Sequence, residues 1–140
     1  MILYLGTSSL ATLYIEEKYS GVLREWAKEA EIVATCRVAY TEMISALDKR
    51  FKNNDLSQES YDKVVKRFSE DWQNLAIVDF DEKESGLIVK KYGLKRFAAI
   101  HLSAAKLIQK ECKDVYVAFS SLDEDLCKAA AVEGLKVLKF

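Results

Sequence analysis

The chain has 140 residues, half of them hydrophobic and 31% charged, and its 21 basic and 22 acidic side chains leave a net charge of −1. That length suits a single domain spanning 1–140 with a real core, and the near-neutral balance excludes nucleic-acid binding by bulk charge, so any such affinity needs a local patch. No apolar run reaches the roughly eighteen residues of a membrane span.

Ile2-Leu3-Tyr4-Leu5 is an unbroken apolar run, the pattern of a strand covered on both faces. Gly6-Thr7-Ser8-Ser9 ends it in an expected tight turn, and Thr7 or Ser8 is expected to cap a helix carrying Leu10, Leu13 and Tyr14. Ser20 is the next expected cap, before Val22, Leu23 and Trp26. Ile32-Val33-Ala34 reads as a second strand. Thr35 then caps a helix in which Cys36, Tyr40, Met43, Ile44, Leu47 and Phe51 recur at helical spacing. After Asn53-Asn54-Asp55, Ser57 caps a helix over Tyr61, Val64, Val65, Phe68 and Trp72. Leu75 to Val78 is the third strand. Asp81-x-x-Glu84 resembles a capping box, opening a helix that Gly93 closes.

A small-residue helix from Ala98 to Glu111 leads to Val115–Phe119, the strongest strand pattern in the chain. Ser121-x-x-Glu124 matches a capping box for a last helix ending at Glu133-Gly134, and Leu135 to Leu138 closes as a short strand. There is no proline and no linker-like segment. Strands alternating with helices predict an α/β fold: about five parallel strands, with about seven helices over both faces.

In such a sheet, sites form where strands end. Three regions bring polar groups there: Gly6-Thr7-Ser8, the helix carrying Glu42, and Ser120 to Asp125. Glu42 has small or apolar helical neighbours in Val38, Ala39, Ser45 and Ala46. It is either an ordinary glutamate beside the core stripe or a group that a ligand can approach closely. Asp123 reads locally as a first-turn acid favoured by the helix dipole. His101, the only histidine, has the apolar neighbours of a packed or hydrogen-bonded core residue. Lys90, Lys91, Lys95 and Arg96 form a basic cluster, either a solvated face or, beside a pocket, a phosphate holder. Cys36, Cys112 and Cys127 have no C-x-x-C spacing, which argues against a disulfide framework or a zinc site and suits small buried thiols. No basic leader precedes the first apolar run, so a cytoplasmic protein is expected.

Four stretches, ILYLGTSSLATLYIEE, VAYTEMISAL, LKRFAAIHLSAAKLI and FSSLDEDLCKAA, with AVEGLKVL after the last, make the chain resemble PIN-domain proteins, in particular VapC-like toxins of toxin–antitoxin pairs. The resemblance covers nearly the whole chain. It implies a five-stranded parallel sheet between helices, in three layers. It also implies metal-dependent cleavage of single-stranded RNA by a carboxylate cluster holding Mg²⁺ or Mn²⁺. Glu42 and Asp123 match two acids of that cluster, and Ser8 and Ser121 match its hydroxyls. Two acids are missing: Gly6 and Ala98 stand where the family pattern has aspartates. About half of the pocket's negative charge therefore remains, and only weak metal binding is expected.

The resulting expectation is a VapC-like protein with a degenerate metal site, weak or inactive as a ribonuclease, serving as an RNA- or protein-binding module. The alternative is a Mg²⁺- or Mn²⁺-dependent endoribonuclease using Glu42 and Asp123. In either case Lys91, Lys95 and Arg96 are candidate RNA contacts. The resemblance also implies an antitoxin partner and a homodimer.

Overall fold

The first strand, β1 (Ile2–Leu5), is buried along its whole length, as its unbroken apolar run requires. In the computed structural model, which describes residues 1–140, β1 is followed by α1 (Thr7–Tyr14), α2 (Ser20–Glu29), β2 (Ile32–Cys36), α3 (Ala39–Lys52) and α4 (Gln58–Asp71). A 3₁₀ turn, Trp72–Asn74, then leads into β3 (Ala76–Val78), α5 (Glu82–Tyr92) and α6 (Arg96–Glu111). The chain closes with β4 (Val117–Ser120), α7 (Glu124–Val132) and β5 (Lys136–Val137). All four strand pairings are parallel and the order is β3-β2-β1-β4-β5. This is the expected five-stranded α/β architecture with seven helices.

Alternation along β1 sorts the core into two layers. Ile2 and Tyr4 pack with Phe119, Leu102, Ala105 and Ile88 under α5, α6 and α7. Leu3 and Leu5 pack with Leu10, Leu23, Met43, Leu47 and Phe68 under α1 to α4. Each fully buried side chain of this size stabilises the fold by roughly 2 kcal/mol. Helices cover both faces, which makes the three-layer sandwich.

Several caps fall where the sequence places them. Ser57 accepts from Ser60 N–H at 3.1 Å and Asp81 from Glu84 N–H at 2.9 Å. Gly93 takes the left-handed conformation, φ 66°, that ends α5. Others differ. Thr35 lies inside β2, and its hydroxyl donates to the Leu5 carbonyl at 2.7 Å, a buried bond between strands. Cys36 therefore belongs to the strand, and α3 begins at Ala39. Ser20 is already helical; it accepts from Glu17 N–H at 2.8 Å and donates to the Thr12 carbonyl at 2.7 Å, closing the α1–α2 turn. Of the cysteines, only Cys36 is fully buried, and all three are free thiols.

Glu133 ties three helices together. It accepts from Lys106 at 2.6 Å and Lys91 at 3.1 Å, and also from the Tyr92 hydroxyl. Lys106 and then Tyr92 hold its carboxyl down at about 2, against its partial burial, with Lys91 adding to the effect. A carboxyl lowered on folding stabilises the protein fully above the ordinary carboxylate range, and that contribution is lost as pH falls through the folded value. Urea midpoints should therefore fall between pH 4.5 and 2, more steeply in the parent than in Glu133→Gln. Equal slopes would remove Glu133 from the account.

Candidate functional site

Parallel strands end on one edge, so the turns after β1, β2 and β4, the three central strands, meet there. The chain winds outward from β1 to β3, then returns to β4 on the other side of β1. The crevice at that reversal is where open α/β sheets place their sites.

Gly6 follows β1 and stands at the N-cap of α1 with φ −69° and ψ 164°, extended backbone that any residue adopts. The expected turn after β1 is present, and its backbone does not require glycine. Its N–H donates to the Ser120 carbonyl at 2.9 Å. Thr7 is the first residue of α1 and caps nothing; its hydroxyl donates to Glu42 Oε1 at 2.8 Å. Ser8 accepts from Leu122 N–H at 2.9 Å and meets Ser121 Oγ at 3.2 Å. Ser9 and Ser120 pair their hydroxyls at 2.9 Å inside the protein. These bonds lace the head of α1 to the turn after β4.

Glu42 lies in the first turn of α3, where the helix dipole favours a carboxylate. Its Oε1 also meets His101 Nε2 at 2.8 Å. His101 Nδ1 lies 2.7 Å from the hydroxyl of Tyr4, which is fully buried. Burial, with Cys36 and Glu42 adding, pushes the Tyr4 phenol well above its usual range, so the hydroxyl keeps its proton. One tautomer satisfies every group. Tyr4 O–H donates to Nδ1, and Nε2–H donates to Glu42 while lying 3.0 Å from Thr7 Oγ1. The structure thus joins the expected core histidine to the site. Thr7 belongs to a turn the sequence singled out, whereas Tyr4 and His101 were absent from the sequence-based site. The signal for His101 was its spacing, three residues after Ala98 on one helical face.

Asp123 is the N-cap of α7: its Oδ1 accepts from Leu126 N–H at 3.1 Å. The expected Ser121–Glu124 box is not formed. Ser121 instead receives Asp123 N–H at 3.1 Å and meets Ser8. Asp123→Asn keeps a capping oxygen and should leave stability nearly unchanged, whereas Asp123→Ala should cost about 1 kcal/mol, read from thermal melts.

Glu42 and Asp123 line one cleft of about 550 Å³ together with Lys95, Arg96, Phe97 and Ala98. Lys91 is not in that lining; it is ion-paired to Glu133. The cleft therefore holds two acids and two cations. Hard divalent cations need oxygen ligands, six or so in total. Here one oxygen of each carboxylate is already engaged, and Gly6 and Ala98 contribute no side-chain oxygen. No group of three or more His, Cys, Asp or Glu is arranged to hold a metal ion. The residues present do not fit the four-carboxylate centre that the resemblance implies.

No protein-family model and no curated protein matches the chain. Solved structures match over nearly its full length. PAE2754 from Pyrobaculum aerophilum has 14% identity and a TM-score of 0.67, covering 98% of this chain and 89% of that one. FitAcB from Neisseria gonorrhoeae has 15% identity and a TM-score of 0.66, covering 99% and 97%. VapBC2 from Rickettsia felis, solved bound to a DNA fragment from their promoter, has 17% identity and a TM-score of 0.65, covering 100% and 99%. At such identities the agreement is one of architecture: the five-stranded parallel sheet and seven helices found here form the PIN-like fold.

Proposed function

We propose that this protein is a PIN-fold member of the toxin–antitoxin lineage that has lost metal-dependent cleavage and acts by binding single-stranded RNA. The observation that carries this reading is the cleft itself, in which Lys95 and Arg96 balance the charge of Glu42 and Asp123. A four-acid pocket without metal repels phosphate. This one, with two acids and two cations, does not impose that repulsion. The test is fluorescence anisotropy with a labelled single-stranded oligoribonucleotide, followed by gel analysis of the same mixture with Mn²⁺. Binding without cleavage is expected. Mn²⁺-dependent cleavage that Glu42→Gln abolishes would overturn the reading.

A second reading, an endoribonuclease using Glu42 and Asp123 with Mg²⁺ or Mn²⁺, is favoured by one observation: both carboxylates line the same cleft. That cleavage result would establish it. By the resemblance, the chain pairs with an antitoxin protein and with a second copy of itself. Sedimentation at twice 15.9 kDa is the expected outcome for the isolated chain. No helix is long and apolar enough to cross a membrane.

A further inference from the structure

Beside the acid-and-cation cleft lies a second one, lined by Thr7, Thr41, Ser45, Lys49 and, in common with the first, Glu42 and Phe97. Phe97 is the only aromatic side chain in either lining, and it is 42% exposed, although α6 buries apolar neighbours such as Ala99 and Leu102 completely. A phenyl ring left open between two clefts loses the burial that would stabilise it in the core. The Arg96 guanidinium sits 5.5 Å from its centroid. Lys49 lines the second cleft with it and Lys95 and Arg96 line the first, and none of these three is ion-paired. By contrast, Lys91 and Lys106 nearby are both ion-paired.

An exposed ring bracketed by unpaired cations is the chemistry that recognises an unpaired base with phosphates on either side. We infer that Phe97 is a stacking seat for one base of a single-stranded RNA, with Lys95 and Arg96 holding the backbone on the Asp123 side and Lys49 holding it on the Thr41–Ser45 side. This rests on the binding reading above and adds to it a particular seat and a direction across the surface. A bare polyanion, such as an acidic peptide, uses the cations and gains nothing from the ring.

The test compares a labelled oligouridylate with an abasic ribose-phosphate oligomer of equal length, and uses polyglutamate as competitor. The parent should prefer the oligouridylate by about tenfold, and Phe97→Ala should erase that preference without moving the melting temperature. Phe97→Trp should retain binding and show indole fluorescence quenched by the oligouridylate but not by the abasic oligomer. Lys49→Gln should reduce the slope of log affinity against log salt by about 0.7. A parent that binds both oligomers equally, is displaced as well by polyglutamate, or keeps its preference after Phe97→Ala overturns the seat but leaves RNA binding standing. A parent that binds neither oligomer overturns both.

Discussion

Gly6→Asp combined with Ala98→Asp should bind divalent ions far more tightly than the parent. The backbone permits it. Gly6 has ordinary extended dihedrals, and a Cβ there would lie 3.4 Å from the Ser121 Cβ, at the edge of normal contact. An aspartate at that N-cap also gains a few tenths of a kcal/mol over glycine by accepting from the first turn of α1. Ala98 already lines the cleft with Glu42 and Asp123, so a carboxylate there adds a third acid to the same wall. Without metal, the added charges repel one another and the variant should melt below the parent. Mn²⁺ in hundredfold excess over the dissociation constant then stabilises the variant by about 2.7 kcal/mol, a rise of roughly 10 °C in Tm. The parent's Tm should rise far less at the same Mn²⁺ concentration. A parent that is stabilised as much as the variant defeats the degenerate-site account.

The second large effect concerns the buried chain from Tyr4 to Glu42. His101→Ala leaves the Tyr4 hydroxyl without a partner, at roughly 1–3 kcal/mol, and opens a cavity beside the Tyr4 ring. Together these predict a loss of roughly 3–5 kcal/mol, measured by urea unfolding. The combination Tyr4→Phe with His101→Leu removes both partners and refills the space, so it should recover most of that loss. The stacking of ring 4 on Phe119, at 5.6 Å and 4° between planes, survives in the phenylalanine. Glu42 keeps Thr7 as donor in every variant. Simple additivity of Tyr4→Phe and His101→Leu would show that the hydrogen bond carries no coupling.

Periodicity exposes the architecture well because burial on two faces leaves a mark in sequence. Ile2 to Leu5 read as a strand covered on both faces, and every residue of it is buried. Caps are less legible, since a hydroxyl has several backbone groups within reach. Thr35, Ser20 and Ser121 each satisfy bonds that depend on a neighbouring element, which local spacing cannot reveal. The same holds for the site. Glu42 and Asp123 were found through resemblance, and they do share a cleft. Thr7 and His101 join them only because α1 and α6 meet over the end of β1, a long-range fact. The basic cluster divided for a similar reason. Glu133, brought in by α7, neutralises Lys91, while Lys95 and Arg96 turn the corner into α6 and share a cleft with Glu42 and Asp123 without forming an ion pair with either.

The serine pairs that fasten α1 to the turn after β4 have a kinetic consequence. A loop already fixed at both margins has little conformational freedom left to surrender, so a ligand arriving at that corner meets a finished surface. Association should then be a single concentration-dependent phase in stopped-flow traces, and Ser8→Ala with Ser9→Ala should introduce a slower step of loop ordering.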